Sequence, residues 1–166
     1  MIIDAHVHLW EKQDGMVNGL PVYDVGNGKS VFTGEIRQMM PAYMDDGRNT
    51  AERLIGNMDY ACVNACVCTQ EYMDGNQDEY LLSVKKKYPD RFKICSLYEE
   101  KKGWRTDGFD GIKICASRLA DPDLKKHLRV FKDAEEKGMF ISIDLADGDS
   151  QTADMQYLID LSLIHI

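Results

Sequence analysis

The chain opens Met1-Ile2-Ile3-Asp4-Ala5-His6-Val7-His8-Leu9-Trp10. An apolar, β-branched run of this kind is a strand signature, and it predicts a first strand over Ile2–Leu9. Side chains alternate across a strand, so His6 and His8 project from one face and Asp4 shares it. Two imidazoles at a strand end can hold one divalent metal ion, zinc above all, with a position left open for water. The metal lowers the pKa of that water toward neutrality. The pair therefore points to metal-assisted hydrolysis of a small-molecule substrate. The bland alternative is two partly exposed residues at a strand end.

Downstream of that strand lies a long segment, Trp10 to Asn49, which carries Gly15, Gly19, Gly26, Gly28, Gly34 and Gly47. Val22–Val25 and Ser30–Phe32 can pair around Gly26-Asn27-Gly28 as a short hairpin. A loop of this length in a compact domain reads as a cover over an active site. A helix starts near Asn49-Thr50, where Asn49 and Glu52 give a weak capping box, with Leu54, Ile55, Met58 and Cys62 on one face. Strand two is expected over Asn64–Gln70, and a helix over Asn76–Tyr88 that stops at Pro89. Strand three is expected over Phe92–Tyr98 and strand four over Gly111–Ala116. Asp121-Pro122 then reads as cap and first turn of a helix that buries Leu124, Leu128, Phe131 and Ala134 and ends before Gly138. Strand five follows over Met139–Leu145, and a last helix begins near Thr152.

Short apolar strands alternating with amphipathic helices predict an α/β fold with a parallel sheet and helices outside it. A full (β/α)8 TIM barrel takes about 250 residues. The expectation is therefore a partial (β/α)8 TIM barrel over residues 1–160, its first five strands present and its C-terminal strands missing. In parallel barrels the active site lies at the C-terminal ends of the strands, where both histidines fall.

Hydrophobic residues make up 44% of the 166 and charged residues 29%, which is ordinary globular composition. The net charge of −8 argues against nucleic acid or an anionic membrane surface as partner. No apolar stretch is long enough to span a bilayer, and a start directly in a strand gives the expectation of no secretory leader. The five cysteines, Cys62, Cys66, Cys68, Cys95 and Cys115, are odd in number and lie in apolar segments. Free thiols in a reducing cytoplasm fit them better than a disulfide framework or a metal cluster. A homo-oligomer of the full-length protein stays open.

The last six residues, Leu161-Ser162-Leu163-Ile164-His165-Ile166, read as the translation of CTG TCT CTT ATA CAC ATC, a transposon mosaic-end adapter. The native frame is accordingly expected to end near Asp160, with 161–166 an adapter-encoded tail that is excluded from fold reasoning. His165 is excluded from the site on this ground. A chain cut before its last strands would expose a sheet edge and be inactive and poorly soluble.

The first strand, IIDAHVHLW (residues 2–10), resembles the opening of the amidohydrolase-related metal-dependent hydrolases of amidohydrolase 2 type. MPAYMDDGRNTAERLIGNMDYACVNACVCTQ (40–70), NQDEYLLSVKKKYPDRF (76–92) and GFDGIKI (108–114) resemble the same branch, in order. The resemblance implies a TIM barrel, a divalent metal at His6 and His8, and cleavage of an amide, ester or lactone. In sister enzymes it implies decarboxylation instead. Many members carry a third histidine ligand at the end of strand five, where MFISIDLADG (139–148) offers Asp144. Lactonase-like members also lack that histidine, which makes a lactone or related ester at least as plausible as an amide.

Asp144 can ligate a metal or act as a base, or it can be a structural acid. Lys113 shares a strand face with Cys115 and Ser117. Some barrel hydrolases carbamylate a lysine here to bridge two metals, but a buried lysine paired with Asp4 or another acid is the simpler role. Gln70, at the end of strand two, can orient substrate or hold loop backbone. His127 is expected on a helix surface.

Overall fold

The computed structural model describes residues 1–145 and 148–161, so the adapter reading for 162–166, His165 included, lies outside the described residues. The chain divides into two compact units, Met1–Ile94 and Cys95–Ile166.

In the first unit, β1 (Ile3–His8) runs parallel to β6 (Ala65–Thr69), and β6 runs parallel to the first half of β7 (Phe92–Leu97) through Phe92, Lys93 and Ile94. Helix α1 (Ala51–Tyr60) precedes β6 and α2 (Asp78–Lys87) follows it. The cap of α1 is Thr50, whose side chain accepts from the Arg53 amide at 3.4 Å, rather than Asn49. Lys85, Lys86 and Lys87 close α2, where cations favour the negative end of the helix dipole.

The segment between β1 and α1 is a second sheet. It is a four-stranded antiparallel meander of β2 (Asp14–Val17), β3 (Leu20–Gly26), β4 (Lys29–Phe32) and β5 (Glu35–Gln38). Each of its turns is two residues long with both φ values positive: Asn18-Gly19, Asn27-Gly28 and Thr33-Gly34. That is the mirror-image turn whose twist suits a hairpin, and it selects glycine and asparagine. The hairpin expected around Gly26–Gly28 is present, flanked by two more. The meander docks through β2 onto a 3-10 turn, Tyr72–Asp74, that follows β6. The approach is backbone to backbone, since a Cβ on Gly15 would sit 2.0 Å from the Tyr72 carbonyl oxygen. Its two ends close on each other through the Trp10–Asn49 bridge, with both backbone bonds at 3.0 Å.

Across this dock runs a buried polar relay. The Ser30 hydroxyl donates to Gln13 Oε1 at 2.5 Å, and Gln13 Nε2 donates to Asp74 Oδ1 at 3.2 Å. Burial pushes the Asp74 carboxyl up from 3.8 to about 6, against the smaller opposing pull of the Gln13 bond. The folded state therefore binds a proton that the unfolded chain has released, and stability falls as pH rises from about 4 to about 6. Above that window the buried charge costs about 3 kcal/mol. Asp74→Asn keeps an acceptor for Gln13 and is expected to recover that amount at pH 7. Urea unfolding at pH 4 and pH 7 checks it: the variant gains at pH 7 and little at pH 4.

In the second unit, Cys95–Leu97 of β7 pairs with β8 (Gly111–Cys115), which pairs in parallel with β9 (Phe140–Asp144). Helix α3 (Leu128–Glu136) joins β8 to β9, and α4 (Gly148–Asp160) follows. Every residue of β8 is buried. Ile112 and Ile114 enter a core with Leu124, Val130, Phe131, Ala134 and Leu158, against which Ile141 and Ile143 of β9 pack. The turn before α3, Leu124–His127, is capped by the Asp123 side chain, so the Asp121-Pro122 start expected from sequence falls too early. Gly138, at φ 63, ends α3 in the left-handed conformation, with the Met139 amide bonded back to the Ala134 carbonyl. Among the described residues no helix is long and apolar enough to cross a membrane.

The parallel strands follow the order β1-β6-β7-β8-β9. This corrects the expected partial (β/α)8 TIM barrel of five strands with helices outside. The chain is an α/β fold with a five-stranded parallel sheet and a separate four-stranded antiparallel sheet. The β/α alternation fails twice. A meander fills the place of the first loop, and the Tyr98–Asp110 connection between β7 and β8 holds no helix. Turns carry that connection, with Gly103 and Gly108 in the left-handed conformation at φ 86 and 84.

Candidate functional site

The histidine pair closes β1. His6 Nε2 and His8 Nε2 lie 3.0 Å apart, with the rings edge to face and their centroids 4.8 Å apart. His6 is exposed and His8 half-buried. Nitrogens at this spacing suit neighbouring ligands about 2.0–2.1 Å from one ion. Without an ion, one ring donates its Nε2–H to the lone pair of the other; a metal bound by both Nε2 atoms would require that ring to carry its proton on Nδ1 instead. The donor set thus fits a divalent metal of zinc type. Within the first unit no third His, Cys or carboxylate ligand joins the pair.

Asp4 does not belong with them. The register of β1 against β6 runs Asp4↔Cys66, then Val7↔Cys68 and His8↔Thr69, so β1 carries one extra residue between Asp4 and Val7. A bulge of this kind breaks the alternation. It puts Asp4 on the Cys66 face and His8 on the Thr69 face. The Asp4 carboxylate turns back to accept from the His6 amide at 3.1 Å. Burial pushes the Cys66 thiol up to about 12, and the nearby Asp4 charge adds to the shift.

Two residues steady His8. The Asn49 side-chain amide donates to the His8 carbonyl at 2.7 Å, and Thr69 Oγ1 lies 3.4 Å from His8 Nδ1. Contacts on the far nitrogen of a ligand histidine set its tautomer and orientation. Neither partner stood out in the sequence. Asn49 reads there as a cap, and Thr69 as one more β-branched strand residue. Trp10, next along the chain, is buried and donates its indole N–H to the Gly47 carbonyl at 2.8 Å.

Gln70, expected to orient substrate or hold a loop, is 2% exposed and serves α2. Its amide donates to Asp78 Oδ1, and its oxygen accepts from the Gln77 amide, both at 2.7 Å. Both contacts tie the end of β6 to the start of α2.

The second unit has its own polar face. Opposite the Ile112/Ile114 side of the sheet, Lys113 and Cys115 of β8 lie in register with Ser142 and Asp144 of β9. Lys113 is fully buried, and its Nζ is 2.6 Å from Asp144 Oδ1. The acid that pairs the buried lysine is Asp144. A Cys115 Sγ and an Asp144 oxygen lie within 4.8 Å of each other, so a thiol and a carboxylate face one another across two strands. Cys66, Cys68, Cys95 and Cys115 are all buried and unbridged, and burial pushes Cys95 up to about 12. Cys62 is exposed.

His127, expected on a helix surface, is 7% exposed. Its Nδ1 is 2.8 Å from the Tyr98 hydroxyl and its Nε2 is 2.8 Å from the Asp121 carbonyl. A carbonyl can only accept, so Nε2 carries the proton and Tyr98 donates to Nδ1. Such double satisfaction marks a structural histidine.

No family model matches the chain, and no curated protein matches it significantly. Among solved structures it is similar to a probable 2-pyrone-4,6-dicarboxylic acid hydrolase from Acinetobacter baumannii, solved with citric acid bound. The match has a TM-score of 0.57 at 18% identity and covers 86% of this chain and 48% of that one. The chain thus spans about half the length of that structure, and the likeness is one of fold.

Proposed function

We propose that the chain carries the metal-binding part of a small-molecule hydrolase of amidohydrolase-related type, acting on a lactone or related ester. The observation that carries this is the 3.0 Å approach of His6 Nε2 to His8 Nε2 at the end of β1. The fold likeness to a probable hydrolase of a 2-pyrone, a cyclic ester, supports it. His6 and His8 would hold the ion, zinc being the metal that best suits two imidazoles with an open position. Zinc bound there supplies Lewis acidity toward a carbonyl oxygen and a water of lowered pKa. Asn49 and Thr69 keep His8 in one orientation. Separately from the metal pair, Asp144 is proposed as a proton acceptor within its own unit, with Lys113 fixing one of its oxygens. The buried cysteines, none of them in a disulfide, suit a reducing, cytoplasmic setting.

The test is hydrolysis of a panel of lactones and aryl esters, 2-pyrone-4,6-dicarboxylate among them, by the zinc-loaded full-length protein. Turnover is expected to stop on chelation, to return with zinc, and to fall at least about a hundredfold in His6→Ala. Turnover that survives both chelation and His6→Ala would refute the proposal. Carbon dioxide release in place of ring or ester opening would refute the hydrolytic chemistry.

A further inference from the structure

The outer edge of the meander is β5, Glu35-Ile36-Arg37-Gln38, with all four residues exposed. An exposed strand edge carries a row of backbone donors and acceptors able to pair with another strand. Which groups point outward follows from the pairing with β4. The register is Phe32↔Glu35, Val31↔Ile36, Ser30↔Arg37 and Lys29↔Gln38. Hydrogen-bonded and non-bonded pairs alternate in an antiparallel ladder. The Met39 amide, one step past Gln38, donates to the Gly28 carbonyl at 3.0 Å, which fixes the phase. Glu35 and Arg37 therefore bond inward to β4, while the N–H and C=O of Ile36 and Gln38 face out.

We infer that β5 is a self-association strand: a second copy of this chain pairs antiparallel along it, with a two-fold axis at Ile36. Three features select this occupant and this register. First, a two-fold through a bonded pair needs a central residue whose N–H and C=O both face out, and Ile36 is one. Second, centring on Ile36 sets Glu35 opposite Arg37 of the second copy, and Arg37 opposite its Glu35. The charges on β5 are one of each sign, two residues apart, and already attract along the strand at 2.9 Å. Guarding charges of a single sign would instead repel in this arrangement. Third, the register places Tyr23, Val31 and Ile36 in one cross-strand row on the outer face. Tyr23 is 45% exposed and Ile36 65%. Pairing at Ile36 extends that row across the axis and covers its most exposed member. The two meanders become one continuous sheet. This inference is independent of the metal site.

Sedimentation of the purified chain over a concentration series tests it. A reversible dimer is expected. Glu35→Arg alone and Arg37→Glu alone each set like charges opposite one another twice, and each is expected to weaken the dimer by about tenfold or more. The double swap restores opposite charges and is expected to restore the dimer. Both positions are exposed, so the monomer stays folded. In a Cys62→Ser background, Ile36→Cys is expected to form a disulfide-linked dimer on mild oxidation, since bonded antiparallel pairs stand about 5.5 Å apart at Cα. A chain that stays monomeric to millimolar concentration would overturn the inference. So would a dimer indifferent to the single swaps, or a failure of the cysteine variant to cross-link.

Discussion

Asp144→Ala is expected to destabilise the second unit by about 3 kcal/mol, while Lys113→Met costs far less and the double variant lies close to Lys113→Met. Lys113 is fully buried in the central strand of that unit, and its ammonium is 2.6 Å from Asp144 Oδ1. Taking an ammonium out of water costs several kcal/mol unless a carboxylate and further polar contacts offset it. Removal of Asp144 strips the near carboxylate and leaves the cation in place. Methionine at 113 fills nearly the same volume with no charge to compensate. The size of the effect sits toward the lower end of the usual range because the Asp144 side chain is 38% exposed, so water already screens part of the pair. Chemical unfolding of the four proteins in the cycle reads the coupling directly. Equal losses in Asp144→Ala and the double variant would show that the pair does not set the cost.

The same pair shows how far the sequence can be read. The alternation in GIKIC and FISID places Lys113 and Asp144 on one face away from the isoleucines, and the structure has them there. Which acid meets the lysine was not legible, because register between strands is set by packing over the whole unit. In β1 the alternation was misleading. IDAHVH carries no glycine or proline to announce a bulge, yet one extra residue between Asp4 and Val7 moves Asp4 to the other face. The meander was half legible. Asn18-Gly19 and Asn27-Gly28 are strong hairpin signals, but Thr33-Gly34 is weak, and runs such as DGMV and EIRQ are too short for periodicity to register. The tertiary role of Asn49 was hidden by its local one. An asparagine before a helix reads as a cap, and only the fold reveals that its amide reaches the His8 carbonyl.

The second large effect concerns the histidines. Two imidazole nitrogens brought to 3.0 Å form half of a ligand set, and each single alanine substitution leaves one nitrogen. One imidazole holds zinc far more weakly than two, so His6→Ala and His8→Ala should each weaken zinc binding by about a hundredfold or more. Asn49→Ala leaves both nitrogens and loosens only the backbone of His8, for a loss of about tenfold.

Competitive zinc titration of the wild-type chain beside His6→Ala and His8→Ala puts the central claim to its most direct test. One zinc per chain, lost in both variants, is the predicted result. Zinc binding that is absent from the wild type, or unchanged in both variants, would contradict it.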